Sequence, residues 1–239
     1  NEGVLPIKSD ANIAFIGKFA KIPRFQGGGS SHINVCKVSS ALEAVSDVTS
    51  VSYAQGYELD VDKINEVLVQ EAIQVAKKSD VAVIFAGLPD SFESEGYDRK
   101  HMRLPNCQNA LIEEVVKVQP NTVVVLHNGS AVEMPWVHDV KGILEMYLAG
   151  QAVGLATVDL LFGRVNPSGK LAETFPVKLS DNPSYLNNQV VDNLIYYREG
   201  PFVGYRYYDK KEMNVLFPFG HGLSYTKFEY HDLALSRTQ

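Results

Sequence analysis

The chain has 239 residues, 45% of them hydrophobic and 21% charged, which is the composition of a folded domain with a sizeable core. A formal net charge of −6 argues against a nucleic-acid-binding surface, because neutralising phosphates requires clustered Lys and Arg. No apolar run reaches the length of a membrane span. The chain starts at Asn1 without Met or a signal peptide, which we interpret as an internal boundary of a longer protein. A cytoplasmic location is the default expectation, and secretion stays open.

Apolar segments in the first three quarters of the chain alternate between two patterns. Short runs rich in Val and Ile predict strands at residues 11–17, 48–54, 81–87, 122–126 and 142–148. Apolar residues at helical spacing predict helices at residues 35–45, 60–78, 108–118 and 154–162. Strands that alternate with helices form βαβ units with parallel strands. We therefore predict a layered α/β fold that runs to about Pro176.

The composition changes after Pro176. Residues 179–193 are rich in Asn, Ser and Asp, which predicts a long loop. The aromatic residues of segment 196–208 either stack on sugars or pack against the sheet edge. A strand-like segment follows at residues 228–230.

Several polar features predict little chemistry. The Gly-rich loop at residues 27–31 lacks both the G-x-G-x-x-G spacing and a P-loop Lys, so we interpret it as a tight polar loop that lines a cleft or packs on a neighbour. Ser130 does not lie in a G-x-S-x-G elbow, which argues against a serine hydrolase. The six histidines form no H-E-x-x-H motif or Cys/His cluster, so we expect neither a metal nor a cofactor. Cys36 and Cys107 lie in apolar, helix-like surroundings and predict two buried thiols.

A short acidic loop at residues 91–99 follows the strand predicted at residues 81–87. Loops at the carboxyl ends of parallel strands are where α/β sheets bind ligands. Glu93, Glu95 and Asp98 crowd this loop, and Arg99 is available to pair with one of them. Such crowding is expected to separate the carboxyl pKa values and to keep one acid neutral, as a proton donor requires. A solvated acidic turn is the alternative interpretation.

Besides residues 90–99 and 26–31, the chain has four further distinctive segments, at residues 1–6, 166–176, 204–209 and 217–225. Together these segments resemble glycoside hydrolase family 3, the β-glucosidases and their relatives. Residues 90–99 resemble the acid/base loop of that family, and residues 26–31 resemble its Gly-Ser loop. The segments occur in family order, which makes the resemblance specific.

The resemblance implies the α/β sandwich domain of that family, with a mostly parallel sheet of about six strands flanked by helices. It implies that residues 1–229 form this domain and that residues 230–239 begin a following module of fibronectin type. In the family, a TIM-like barrel carries the other half of the active site and is absent from this chain.

The resemblance also implies roles for single residues. The family's general acid/base is the Glu directly before Gly-Tyr-Asp-Arg, which is Glu95 here, and Glu93 is the alternative because the loop offers two candidates. Asp98, Arg99 and Phe92 are expected to shape the loop or contact the sugar. The family's nucleophile is an Asp of the barrel, so the chain alone is expected to fold but not to turn over substrate.

The implied function is that of the acid/base-bearing domain of a retaining β-glucosidase, with a β-linked glucoside as substrate. The motifs leave the sugar open among glucosides, xylosides and related glycosides. A non-catalytic carbohydrate-binding or scaffold domain is the main alternative, and the aromatic segment supports it. A flavodoxin-like nucleotide binder is a further alternative that rests on fold analogy alone.

Overall fold

The computed structural model describes residues 2–188 and 190–237. Within them, one sheet of five parallel strands in the order β2-β1-β3-β4-β5 forms the centre of the fold. The strands are β1 (Ile13–Ile16), β2 (Val51–Ala54), β3 (Val81–Gly87), β4 (Thr122–His127) and β5 (Gly142–Glu145). The prediction of a mostly parallel sheet is confirmed, with five strands in place of the expected six or so. The last strand ends at Glu145, three residues before its predicted end.

Helices cover the sheet in two pairs, since α2 contacts α3 and α1 contacts α4. They are α1 (Ala41–Ala44), α2 (Glu66–Lys77), α3 (Asn106–Val116) and α4 (Val153–Leu161). All residues of β1, β3 and β4 are buried, which explains their continuous apolar sequences. The α/β layering predicted from the alternating patterns is therefore confirmed.

The first helix is much shorter than the prediction of residues 35–45. The Ser40 hydroxyl accepts a hydrogen bond from the Glu43 N–H, and the Glu43 carboxylate accepts one from the Ser40 N–H. This capping box fixes the helix start at residue 41, so the preceding residues stay non-helical. Cys36 is consequently exposed, and the prediction that it is buried was wrong, whereas Cys107 on α3 is buried as expected.

The region after residue 179 contains two elements that sequence patterns did not predict. An antiparallel hairpin joins β6 (Val190–Val191) and β7 (Leu194–Ile195), and a short helix α5 spans Tyr205–Lys211. Tyr196 and Tyr197 beside the hairpin are 50% and 84% exposed, so packing against the sheet edge is wrong for these rings. The predicted strand at residues 228–230 is not formed.

Residues 166–176 and 216–226 lie side by side and return the chain to the core. The Leu171 N–H donates to the His221 carbonyl and the Phe175 N–H to the Phe217 carbonyl, both at 2.8 Å. The Tyr225 hydroxyl donates to the Leu160 carbonyl of α4 at 2.6 Å. Two of the segments that carry the family resemblance thus form one structural unit.

The helices α1 and α4 approach each other so closely at Gly154 that adding one methyl group there should destabilise the fold. A Cβ atom at Gly154 of α4 would overlap the Ser40 backbone and lie 2.6 Å from the Ser39 carbonyl oxygen. We expect Gly154→Ala to lower the free energy of unfolding by about 1–3 kcal/mol or more, because backbone atoms cannot move aside cheaply. Gly169→Ala is the control, because nothing lies within 4 Å of its Cβ position. Urea denaturation of both variants checks this, and equal losses would contradict it.

Candidate active site

Two loops meet at the carboxyl edge of the sheet, where β1 lies between β2 and β3. The chain connects β1 to β2 on one side of β1, and β3 lies on the other side, so the order of the strands reverses between β1 and β3. Ligands of α/β sheets bind at such a reversal, at the carboxyl ends of the strands. The Gly-rich loop follows β1, and the acidic loop follows β3. Topology therefore brings together two segments that are about sixty residues apart in sequence.

The Gly-rich loop packs closely against the acidic loop. Gly29 has a φ of +73°, and a Cβ atom there would lie 2.5 Å from Glu95 Cβ. A Cβ atom at Gly28 would lie 3.0 Å from Ser94 Cβ and would overlap the Ser94 hydroxyl. The Ser30 N–H donates to Glu95 Oε2 at 2.5 Å. This loop packs on its neighbour, one of the two interpretations that its sequence allowed.

The two glutamates of the acidic loop lie in different environments. Glu93 is half-buried and accepts hydrogen bonds from Arg24 Nη1 and from the Gly129 N–H, both at 2.7 Å, and from the Ser130 hydroxyl. Glu95 is exposed, and its carboxylate accepts hydrogen bonds from Ser30. Glu93 is therefore held by protein groups on several sides, whereas the Glu95 carboxylate is open to an incoming molecule.

The pKa values of both glutamates lie below the usual range. Burial raises the pKa of Glu93, but hydrogen bonds from Ser130, Gly129 and Arg24 together with the Arg24 charge outweigh it and lower the value. Hydrogen bonds from Ser30 lower the pKa of Glu95. The expectation that crowding keeps one acid of this loop neutral was wrong, because each carboxylate has its own donors and neither is buried against the other.

The remaining predicted residues are placed around this pair. Arg99 forms no ion pair with another described residue. Its Nη2 donates to the Ala131 carbonyl at 2.8 Å and connects the loop to the segment after β4. Asp98 is exposed and has no hydrogen bond to another described residue. Phe92 packs against the core with its ring 6.2 Å from that of His101. The expected pairing of Arg99 with a loop carboxylate is thus replaced by a hydrogen bond to the backbone.

Sequence patterns missed two residues at this edge, Arg24 and Glu145. Arg24 stands alone among apolar neighbours, and no motif in the sequence marks it. Glu145 ends β5, where its carboxylate accepts hydrogen bonds from the Tyr147 N–H at 2.9 Å and from Asn128 Nδ2 at 3.1 Å. Burial, reinforced by the charges of Glu173 and Glu93, raises the pKa of Glu145 to about 8. The carboxyl group kept protonated near neutral pH is thus Glu145, outside the acidic loop.

The described residues contain no group of three or more His, Cys, Asp or Glu side chains arranged to hold a metal ion. His127 is buried at the end of β4, and burial lowers its pKa to about 4.

In residues 2–188 and 190–237, no helix is both long and apolar enough to cross a membrane.

Comparison with known proteins identifies relatives of the whole chain. The sequence profile of the Glycosyl hydrolase family 3 C-terminal domain matches residues 1–225. Thermostable beta-glucosidase B of Acetivibrio thermocellus is 58% identical over 99% of this chain and 32% of its own length. An exo-alpha-(1->6)-L-arabinopyranosidase of Bifidobacterium longum is 45% identical over 98% of this chain and 31% of its own length.

Solved structures show the same fold. A family 3 beta-glucosidase of Bifidobacterium adolescentis superposes with a TM-score of 0.90 and 45% identity, over 94% of this chain and 33% of that one. Beta-glucosidase 3B of Thermotoga neapolitana, solved with alpha-D-glucose, gives a TM-score of 0.85 and 32% identity, over 99% of this chain and 37% of that one. The chain spans about a third of the length of the curated relatives that it matches.

Proposed function

We propose that this chain, which belongs to glycoside hydrolase family 3 as the C-terminal domain of such an enzyme, supplies the proton donor of a retaining β-glucosidase. In this proposal Glu95 is the general acid/base, and an Asp of a preceding TIM-like barrel is the nucleophile. The activity belongs to the whole polypeptide, because the chain covers only about a third of its curated relatives.

The observation that carries the assignment is the difference between the two glutamates. A general acid/base must reach a substrate oxygen and then a water molecule, so its carboxyl group must be accessible. Glu95 is exposed at the sheet edge, while the Glu93 carboxylate is occupied by Arg24, Gly129 and Ser130. To act on a substrate, Glu93 would first have to break these hydrogen bonds.

The proposed reaction uses Glu95 twice. Protonated Glu95 donates its proton to the glycosidic oxygen as the barrel Asp attacks the anomeric carbon and forms the glycosyl-enzyme intermediate. The resulting carboxylate then removes a proton from the water molecule that releases the sugar. The exposed position of Glu95 suits both steps.

A proton donor must be protonated at working pH, yet the pKa of Glu95 is lowered in this chain by Ser30. In the whole enzyme, the barrel would cover Glu95 and would bring the charge of its nucleophile nearby. Both burial and a neighbouring negative charge raise a carboxyl pKa. We therefore propose that the two domains together set the protonation state of Glu95.

A second candidate activity is exo-hydrolysis of α-L-arabinopyranosides. The 45% identity to the Bifidobacterium longum enzyme over nearly the whole chain supports this candidate. The 58% identity to the Acetivibrio thermocellus enzyme favours the β-glucosidase. The acid/base chemistry on this domain is the same for both substrates.

The test is an activity assay of the full-length polypeptide and of this chain alone. We expect the full-length protein to hydrolyse 4-nitrophenyl β-D-glucoside faster than 4-nitrophenyl α-L-arabinopyranoside, and the chain alone to hydrolyse neither. Preference for the arabinopyranoside would support the second candidate. Hydrolysis by the chain alone would contradict the division of the active site between two domains.

A further inference from the structure

A buried arginine fastens the start of the acidic loop. The Arg24 side chain is 5% exposed and donates to the Leu88 carbonyl at 2.6 Å and to the Glu93 carbonyl at 2.7 Å. It also donates to Asp90 Oδ1 at 3.1 Å and to Glu93 Oε2 at 2.7 Å. One guanidinium thus fixes the backbone at both ends of residues 88–93, which a planar fork of five N–H groups allows and an ammonium does not.

Glu93 links this arginine to the neighbouring strand. Its carboxylate also accepts hydrogen bonds from the Gly129 N–H and the Ser130 hydroxyl, just after β4. A Cβ atom at Gly129 would lie 2.9 Å from Glu93 Oε2, so the carboxylate fits closely against a residue without a side chain. Arg24 and Glu93 together connect the segments that follow β1, β3 and β4.

The next residues of the acidic loop contact the Gly-rich loop. Ser94 and Glu95 follow Glu93 directly and contact Gly28 and Gly29, which follow Arg24 by only a few residues. The Arg24–Glu93 pair therefore holds both partners of this contact, the Gly-rich loop and the acidic loop. A displacement of Glu93 would therefore also displace the backbone of Glu95, because Ser94 alone separates the two residues.

We propose that Arg24, acting through Glu93, is a positioning residue that sets the place of the Glu95 carboxyl group relative to the substrate. The inference rests on the proposed function, because it assumes that Glu95 transfers the proton. Catalysis depends steeply on such placement, since a displacement of about 1 Å can lower a rate about 100-fold. Arg24 touches no reacting atom in this account.

The experiment measures kcat/KM of the full-length enzyme for two aryl β-glucosides, one with a poor leaving group (phenol) and one with an activated leaving group (2,4-dinitrophenol). The activated substrate needs no proton donor. We expect Arg24→Met to lower kcat/KM about 100-fold for the phenyl glucoside and only a few-fold for the activated one. For the phenyl glucoside, kcat/KM of Arg24→Lys should lie between the values of Arg24→Met and the native enzyme. Lysine keeps the positive charge but lacks the planar guanidinium group with its several N–H donors.

Two further variants make the test decisive. Lys18→Met removes the Lys18–Glu58 ion pair near the end of β1, a pair that includes no residue of the acidic loop. It should lower kcat/KM only slightly and by the same factor for both substrates. Ser130→Ala removes one donor to Glu93 and should show the leaving-group dependence in milder form even if Arg24→Met does not fold.

Glu95→Gln distinguishes failure of this inference from failure of the proposed function. If Glu95→Gln shows the leaving-group dependence and neither Arg24→Lys nor Ser130→Ala does, the positioning role is overturned and the proposed function stands. If Glu95→Gln itself lacks that dependence, the proposed function fails. If the Arg24 and Ser130 variants lowered kcat/KM by the same factor for both substrates, the role of Arg24 would be purely structural and the inference would be overturned.

Discussion

Replacing Glu95 by Gln in the full-length enzyme is expected to lower kcat/KM for phenyl β-glucoside by about 100- to 10,000-fold, the usual contribution of general acid/base catalysis. The amide cannot donate a proton to a poor leaving group. It also cannot deprotonate water, so hydrolysis of the glycosyl-enzyme intermediate slows for every substrate. Azide needs no base and should restore turnover of an activated substrate with formation of a glycosyl azide. Steady-state kinetics with and without azide measure these effects.

Glu93→Gln is the matched control for this prediction. The amide keeps the size of the side chain but loses the charge that Arg24 contacts at 2.7 Å. We expect kcat/KM for the phenyl glucoside to fall. Azide should not restore the activity of this variant, because the acid/base Glu95 is still present. If azide rescues Glu93→Gln and not Glu95→Gln, then Glu93 is the acid/base and the assignment to Glu95 is wrong.

The free energy of unfolding should fall as the pH rises from about 6.5 to about 8, and Glu145 should account for much of this fall. At lower pH the buried His127, whose pKa is lowered to about 4, has the opposite effect. Its pKa is about 8 in the folded chain and 4.5 as an ordinary carboxyl group. Between these values the unfolded chain has lost the proton and the folded chain has kept it, so raising the pH favours unfolding. The full difference between the two pKa values corresponds to a loss of about 5 kcal/mol.

Urea denaturation of the chain and of its Glu145→Gln variant between pH 5 and pH 9 tests this effect. The variant should gain stability relative to the native chain as the pH rises, because its amide does not titrate. Glu114→Gln on the surface of α3 serves as the control for loss of a carboxylate and should show a constant difference. A constant difference for Glu145→Gln would contradict the protonated state of Glu145 in the folded chain.

The parallel sheet was predictable from the sequence because its central strands are buried on both faces and need continuous apolar runs. Val81–Gly87 shows this relation directly, since all seven of its residues are buried. The first helix was mispredicted because one capping box at Ser40 decided its start against the apolar pattern around it. The hairpin of β6 and β7 was missed although Asp192 and Asn193, both with positive φ, are typical residues of a tight turn.

The candidate site was only partly predictable. The family resemblance, confirmed by the match of residues 1–225, selects the acidic loop, and the strand-end position of this loop follows from the apolar run before it. Hydrogen bonding could not be predicted, because Arg24, Gly129 and Ser130 approach Glu93 from segments distant in sequence. For the same reason, counting charges within the loop did not predict that the pKa values of both Glu93 and Glu95 are lowered.

The most direct test of the central claim is a crystal structure of the full-length enzyme with a non-hydrolysable glucoside analogue bound. If Glu95 is the acid/base, one of its carboxyl oxygens lies within about 2.6–3.2 Å of the atom that replaces the glycosidic oxygen. We also expect a distance of about 5–5.5 Å between the carboxyl groups of Glu95 and the barrel Asp. Glu93 at that position, with its bonds to Arg24 and Ser130 broken, would contradict the account.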